Sequence, residues 1–397
     1  MAVARFRIRQ ATGTNKVAQV KTITITAAST GLTAVWTLTR TLDTAETATV
    51  SYTEDGSPTV AEIATGLYDA WLASTNPYIN EITPANPSAG VLTLTAGTAG
   101  DPFSVALADD GDGTHTETAT TANESPGDYS QTTNWTTDAE PTTDDDVVIP
   151  SGSADIRSGL VKSSVAIDRF VIEDGFSGKL GRHEYGQARY LQIKPNSVEI
   201  NGKGQLVMVD VGAEAIDALI RSMASARQDG LQAVMLKGTA LGTVEILHGQ
   251  VGIASLEQEA ATITTLLIGF VTTPQSDSNV TVGAGVTLTT LTQQAGMCLL
   301  KCAATTATVS KNATLTTEGM GALTTVNNYG LCYPQSSGTI TTLNGYGVTD
   351  FTRDRSAKTV TTYNAKPGGT LIVHAGITIG TYNPPAAAGE HKIIYVD

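Results

Sequence analysis

From about residue 146 onward, apolar and polar positions alternate in short runs with a period of two. Examples are "VVIP", "VAIDRFVIED", "RYLQIK", "SVEINGKGQLVMVDV", "TVEILHGQVGIASL", "TITTLLIGFV", "NVTVGAGVTLTTL", "LTTVNNYG", "TITTLNGYG" and "TLIVHAGITIG", punctuated by Gly, Asn and Asp. Runs starting at Val282, Val309, Ile340 and Val360 recur every twenty to thirty residues or so, with shorter strands between. That spacing predicts stacked coils in which each strand lies about 4.8 Å from its counterpart one coil away. Val and Ile then face a dry interior, Thr faces water, and Gly and Asn take the corners. The expected fold is therefore mostly β, with a right-handed parallel β-helix over residues 146–397, about eleven coils and about 50 Å long. The alternative is a β-sandwich or jelly roll, which needs fewer, longer strands joined by hairpins. One stretch departs from the period. In "GAEAIDALIRSMASARQDG", residues 212–230, Ile216, Leu219, Ile220 and Met223 fall at helical spacing, which predicts a helical insertion, with a strand over "IDALIRSM" as the other reading.

The N-terminal part reads differently. In "VARFRIRQ", Arg5, Arg7 and Arg9 fall on one side of an extended strand and Ala4, Phe6 and Ile8 on the other, within an arm spanning residues 1–17. So short a strand cannot bury its own apolar face. It either pairs within its own domain or adds to a neighbour's sheet edge. Residues 18–107 read as a small α+β module. "VKTITIT", "AVWTLTRT" and "TATVSYT" precede a helix in "SPTVAEIATGLYDAWLAST", with Ser57 as its cap, Pro58 at its first position and Val60, Ile63, Leu67, Trp71 and Leu72 as its apolar stripe. "GVLTLTA" and "PFSVALA" add two strands around "GTAGD", and the helix is expected to cross one face of the sheet. Residues 108–145 are acidic, Thr-rich and nearly free of aliphatics, which is linker composition.

The order of these elements, with "DGSPTVAEIATGLYDAWLAS" followed by "AGVLTLTAGTAGDPFSVAL", resembles a module of structural proteins of tailed bacteriophages, where it sits beside capsid, tail-sheath or tail-tube parts. The resemblance covers about ninety residues and brings no catalytic residues with it. It implies scaffolding and attachment.

Composition narrows the function classes. The 397 residues carry a formal charge of −14, the wrong sign for a free-standing nucleic-acid binder. The start, "MAVARFRIRQ", lacks the apolar segment of a secretory signal, and no run reaches the length of a membrane span. Cys298, Cys302 and Cys332 form neither a disulfide framework nor a zinc set, and "CLLKC" has the wrong gap for a redox pair. His115, His183, His248, His374 and His391 are scattered without a metal-binding motif. Asp109, Asp110 and Asp112 suggest calcium, but placing Gly113 at the sixth position of an EF-hand loop puts Ala108 and Ala119 where ligands belong. No cofactor is expected.

Enzymes on a β-helix commonly cleave polysaccharides with clustered carboxylates. Asp168, Glu173, Asp174, Glu184, Glu199, Asp210 and Glu245 supply candidates, whereas Glu318 is alone between Thr281 and Thr349. His183, Glu184, Tyr185 and Arg189 in "GRHEYGQARY" form the richest polar cluster, expected to be a coil-edge loop. The chain is accordingly read as a non-enzymatic virion protein that decorates or cements a phage capsid, forms a homotrimer, and contacts the major capsid protein or other virion proteins. Its anchoring contact would be Arg5, Phe6, Arg7, Ile8 and Arg9, with the arginines meeting acidic shell residues. A tail-fibre or spike adhesin using Tyr329, Tyr333 and Tyr346 near Asn327, Asn328 and Asn344 on host glycans is the alternative, and a depolymerase the least favoured.

Overall fold

The computed structural model describes residues 2–8, 16–30, 33–41, 47–224, 227, 229–257, 259–269, 278–386 and 390–397. Strand dominates it, and from Asp146 to Tyr395 the long pairings are parallel. A jelly roll, whose strands run antiparallel, is thereby overturned for this part of the chain.

Two ladders carry it. In the first, the successive register partners Ala4, Val147, Phe170, Val198, Ala218, Val244, Leu266, Leu291, Ala307, Val326, Leu343, Tyr363 and Tyr382 form one column. All but Tyr382 are buried. The second column runs Leu180, Val207, Val234, Val251, Val280, Cys298, Leu315, Cys332, Thr349, Leu371 and Ile393. Both face a single apolar core that extends from Ala4 to Val373. Alternation explains why: with a period of two, each Val, Leu or Ile turned inward leaves its Thr neighbours turned out, and each fully buried aliphatic contributes about 1.5–3 kcal/mol.

Partners are closer in sequence than the predicted twenty to thirty residues over the later rungs. Leu288 pairs with Ala304, then Ala304 with Leu323, Leu323 with Ile340, Ile340 with Val360 and Val360 with Ile379, an offset of about 16–20 residues. The corners are short, and Gly345 shows how. An added Cβ there would lie 2.2 Å from the Tyr363 hydroxyl, so the bare backbone lets the buried Tyr363 ring lie across the turn one rung below. That hydroxyl finds its partner in His391 Nε2, at 3.0 Å.

Residues 212–230 contain no helix among their described positions. Ile216–Arg221 is a strand, with Ile216, Ala218 and Ile220 buried and Asp217 exposed. Paired on both sides, to Leu191–Ile200 and Leu241–His248, it gains two sets of backbone hydrogen bonds that a short isolated helix would forgo.

The N-terminal module has a core of its own. It holds two antiparallel sheets instead of one. Four strands run in the order Ile82–Ser88, Val91–Ala96, Val20–Ala27, Thr114–Thr121, and three in the order Thr47–Thr53, Val35–Thr41, Ser104–Asp109. The helix α1, Val60–Ala73, packs Ile63, Ala64, Leu67 and Trp71 onto Ile23, Trp36 and Leu38. Its cap is Thr59, not Ser57: the Thr59 hydroxyl accepts from the Glu62 amide at 3.2 Å. Leu72 is 57% exposed, because one residue past Trp71 turns the side chain about 100° off the stripe.

The expected linker is not one. Thr114–Thr121 completes the module's sheet, and the residues after it fold over the first rung of the ladders. Tyr129 and Trp135 are buried there with Phe6, whose ring meets Trp135 edge-on at 5.1 Å. Trp135 Nε1 donates to the Tyr129 carbonyl at 2.8 Å, and the buried Asn134 amide donates to the Ser125 and Asp128 carbonyls at 2.8 and 2.9 Å. Low aliphatic content misled because three aromatics and self-satisfied polar groups suffice to close an open core end.

Residues 3–8 of the arm also belong to this cap. Val3–Arg5 pairs in parallel with Asp146–Ile149, and Phe6 is 1% exposed. Ile8 packs against the same core. Arg5 is paired to Glu173, and Arg7 donates to Asp138 at 2.5 Å and to the Thr133 carbonyl at 3.0 Å. Arg9 lies outside the described residues. The predicted alternation holds for residues 4–8, but its apolar face covers the chain's own first rung, so the strand is not a free anchor. Phe6→Ala is expected to cost about 3–5 kcal/mol in urea unfolding. An unchanged midpoint would return the arm to the role of a loose tether.

Candidate binding surface

The outward face of the first ladder is the most regular surface of the molecule. Thr243, Thr265, Thr290, Thr306, Thr325, Thr342, Thr362 and Thr381 are successive register partners. Two positions on, a second outward column runs Thr292, Thr308, Asn327, Asn344, Asn364 and Asn383. Exposed Thr264, Thr289, Thr305, Thr324, Thr341 and Thr361 flank the first column, because each strand bends to turn two consecutive residues outward. The signal was present in the sequence as apolar-Thr-Thr-apolar, in "ITTL", "LTTL", "ATTA", "LTTV", "ITTL" and "VTTY". A strict period-two template splits these doublets and overlooks them.

The asparagines form a chain of amides. Asn344 donates to Asn327 at 2.8 Å, Asn364 to Asn344 at 2.8 Å and Asn383 to Asn364 at 2.7 Å, all in one direction along the stack. Such ladders lock neighbouring rungs in register and use up donors that a ligand would otherwise meet. Asn328 is no part of this surface. It is fully buried at the corner, where its amide donates to the Val348 carbonyl and the Thr349 hydroxyl at 2.8 and 3.0 Å and its oxygen accepts from Gly330.

Of the three candidate tyrosines, the structure brings two together. Tyr329, 43% exposed, stacks on the half-buried Tyr346 with ring centroids 4.3 Å apart. Tyr333 lies on the second ladder, with the Arg353 guanidinium 3.3 Å over its ring. The three do not line one groove. From Thr290 onward these outer columns offer a run of hydroxyls and amides with one aromatic pair at its edge, suited to hydrogen bonding over an extended area.

Most of the carboxylates singled out above are engaged. Glu184 is held by Arg182 and Arg157, and although burial opposes it, those bonds keep its carboxyl below the ordinary glutamate range. Glu199 accepts from Arg169 at 2.5 Å and from Asn201 at 3.0 Å, Asp168 from Asn196 at 3.0 Å, and Asp210 from the Gly212 amide at 2.9 Å. Glu173 is taken up by Arg5 and the Ser151 amide. The acidic turn works likewise: Asp110 accepts from the Val35 amide at 2.6 Å, Asp112 from Thr30 and Asp109 from Gly113. Among the described residues no group of three or more His, Cys, Asp or Glu is placed to hold a metal. No described helix is long and apolar enough to cross a membrane. No family model, curated protein or solved structure matches the chain.

The three thiols are core residues of the ladder body. Burial pushes Cys302 and Cys332 each up to about 12 and Cys298 higher still. Unfolded thiols ionise near about pH 8.5, so the native state loses protons later than the unfolded one. Stability is therefore complete below about pH 8.5 and falls as pH rises towards 12. At pH 8 a thiol reagent is expected to label none of the three in the native protein and all three in guanidinium. Rapid native labelling would contradict the buried columns.

Proposed function

We propose that the chain is a non-enzymatic structural protein of a tailed-phage virion, in which the ladder body is a right-handed parallel β-helix serving as a rigid spacer. The observation that carries this reading is the unbroken first column from Ala4 to Tyr382, thirteen register partners of which twelve lie in one core. A barrel would also close its strand set, but from Val147 onward each partner is displaced by about one coil, which is the pairing of a solenoid. Short crossovers between parallel strands favour the right-handed winding. Thirteen rungs at about 4.8 Å span nearly 60 Å. The separately cored module beside one end supplies an attachment unit, consistent with the resemblance of its sequence to phage structural modules.

With residues 3–8 folded into the cap, attachment to a shell falls to the module or to the outer faces, and the homotrimer becomes a question of which face pairs. The adhesin reading is favoured by one observation, the half-exposed Tyr329–Tyr346 stack beside the amide column. The two readings separate in a micrograph. Antibodies raised against residues 146–397 should label the heads of particles that carry this chain. Label confined to tail tips would select the adhesin, and particles that carry none would overturn both. Sedimentation of the purified protein should give three times the 41.1 kDa chain mass.

A further inference from the structure

Among the described residues the two sheets of the module end in four edge strands, and three of these are guarded against pairing with another chain. Along Ser104–Asp109 and the residue before it, side chains occupy the outward backbone groups. Gln19 bonds the Phe103 amide at 2.8 Å and its carbonyl at 2.9 Å, Lys21 donates to the Val105 carbonyl, and Glu117 accepts from the Leu107 amide at 2.7 Å. Ile82–Ser88 carries Pro84 and loses register between Ala85 and Ser88. Thr114–Thr121 shifts register at both ends of its pairing and bears His115 and Glu117.

The fourth edge, Thr47–Thr53, has none of these devices. Its seven residues include no charge, proline or glycine, and they pair with Val35–Thr41 in unbroken register. Which of its backbone groups are free follows from the far side of that neighbour. Val105 and Leu107 aim their backbone groups away from Val35–Thr41, so their partners Arg40 and Leu38 aim theirs at Ala48 and Val50. The N–H and C=O groups of Thr49 and Ser51 therefore point out of the sheet, where no described backbone group meets them. Both side chains are exposed, whereas Ala48 and Val50 are buried.

Charge says what kind of strand fits. Residues 42–80 hold Asp43, Glu46, Glu54, Asp55, Glu62 and Asp69 and not one Lys, Arg or His. Burial and the negative charges of Glu62, Asp55 and Glu54 hold the Tyr52 hydroxyl above the ordinary tyrosine range, so these three acids surround one end of the strand. A second copy of this edge would bring like charges together, whereas a strand with basic flanks would neutralise them.

We propose that Thr47–Thr53 is a docking edge that takes up an extended segment of a partner protein as an added strand, the segment alternating apolar and polar residues with Lys or Arg at its ends. The inference assigns a partner site to the module and holds whether or not the chain belongs to a virion. A lysine-flanked peptide of alternating valine and threonine should bind the full chain and slow amide hydrogen exchange at Thr49 and Ser51 about tenfold or more. Its glutamate-flanked counterpart, and a lysine-flanked version with a central proline, should each bind about tenfold more weakly. Thr49→Pro removes an outward donor without touching the bonds to Val35–Thr41, so it should abolish binding and leave the melting curve unchanged. Should that variant unfold, the exchange measurement on the unsubstituted chain decides. Equal binding of the lysine- and glutamate-flanked peptides, undiminished binding to folded Thr49→Pro, protection outside residues 47–53, or no binding would overturn the proposal. So would protection of these amides that arises without peptide and grows with protein concentration, which would give the edge to a second copy.

Discussion

In-register stacking of parallel strands is the constraint on which the rest of the molecule depends. Because every strand lies one strand spacing from the next, a residue's neighbours are its register partners on the adjacent parallel strands, and the apolar or polar character of one column position is largely kept through the body. An inward column must then be apolar throughout, since a single unpaired polar group would sit between two dry layers. The second ladder shows how an exception is tolerated. Thr349 stands fully buried between Cys332 and Leu371, and the corner amide of Asn328 reaches its hydroxyl at 3.0 Å. The buried polar pair is satisfied internally, and the column continues.

Stacking also creates a problem at each end, where a rung has a face without a partner. At the N-terminal end the chain solves it with local material: Ala4 supplies a further rung, and Phe6, Tyr129 and Trp135 close the core above it. The ion pairs Arg5–Glu173 and Arg7–Asp138 hold that strand from its outer side. The polar side of the arm thereby serves its own chain. At the other end Ile377–Asn383 and Lys392–Tyr395 are paired on one side only among the described residues, and outward exposure rises, with Tyr395 79% exposed. The N-terminal rung is thus closed by aromatics, whereas Lys392–Tyr395 and Ile377–Asn383 keep one unpaired edge among the described residues.

How much of this was legible in the sequence depends on the range of the interaction. The parallel strands of the body follow from alternation that any short window contains. The module helix was legible from its stripe, although Leu72 was assigned to it one residue too far. The failures share a cause: they concern contacts between segments distant in sequence. Residues 108–145 look like a linker until Tyr129 and Trp135 find Phe6 more than a hundred residues away, and "IDALIRSM" looks helical until its neighbours in the two adjacent coils offer their backbones.

The distribution of charge completes the logic. Ion pairs in the body concentrate in its first coils, between Arg157 and Lys237, and the later coils present threonine and asparagine outward. Like charges repeated every 4.8 Å would repel along a column, whereas hydroxyls and amides stack without penalty, and the amide column even gains hydrogen bonds from the repeat. Early coils, with offsets above twenty residues and longer loops, are irregular enough to pair opposite charges locally. The later, more regular strands carry fewer such pairs, Lys301–Glu318 and Lys358–Asp354 among them. Polar and largely uncharged decoration is thus what close repetition favours.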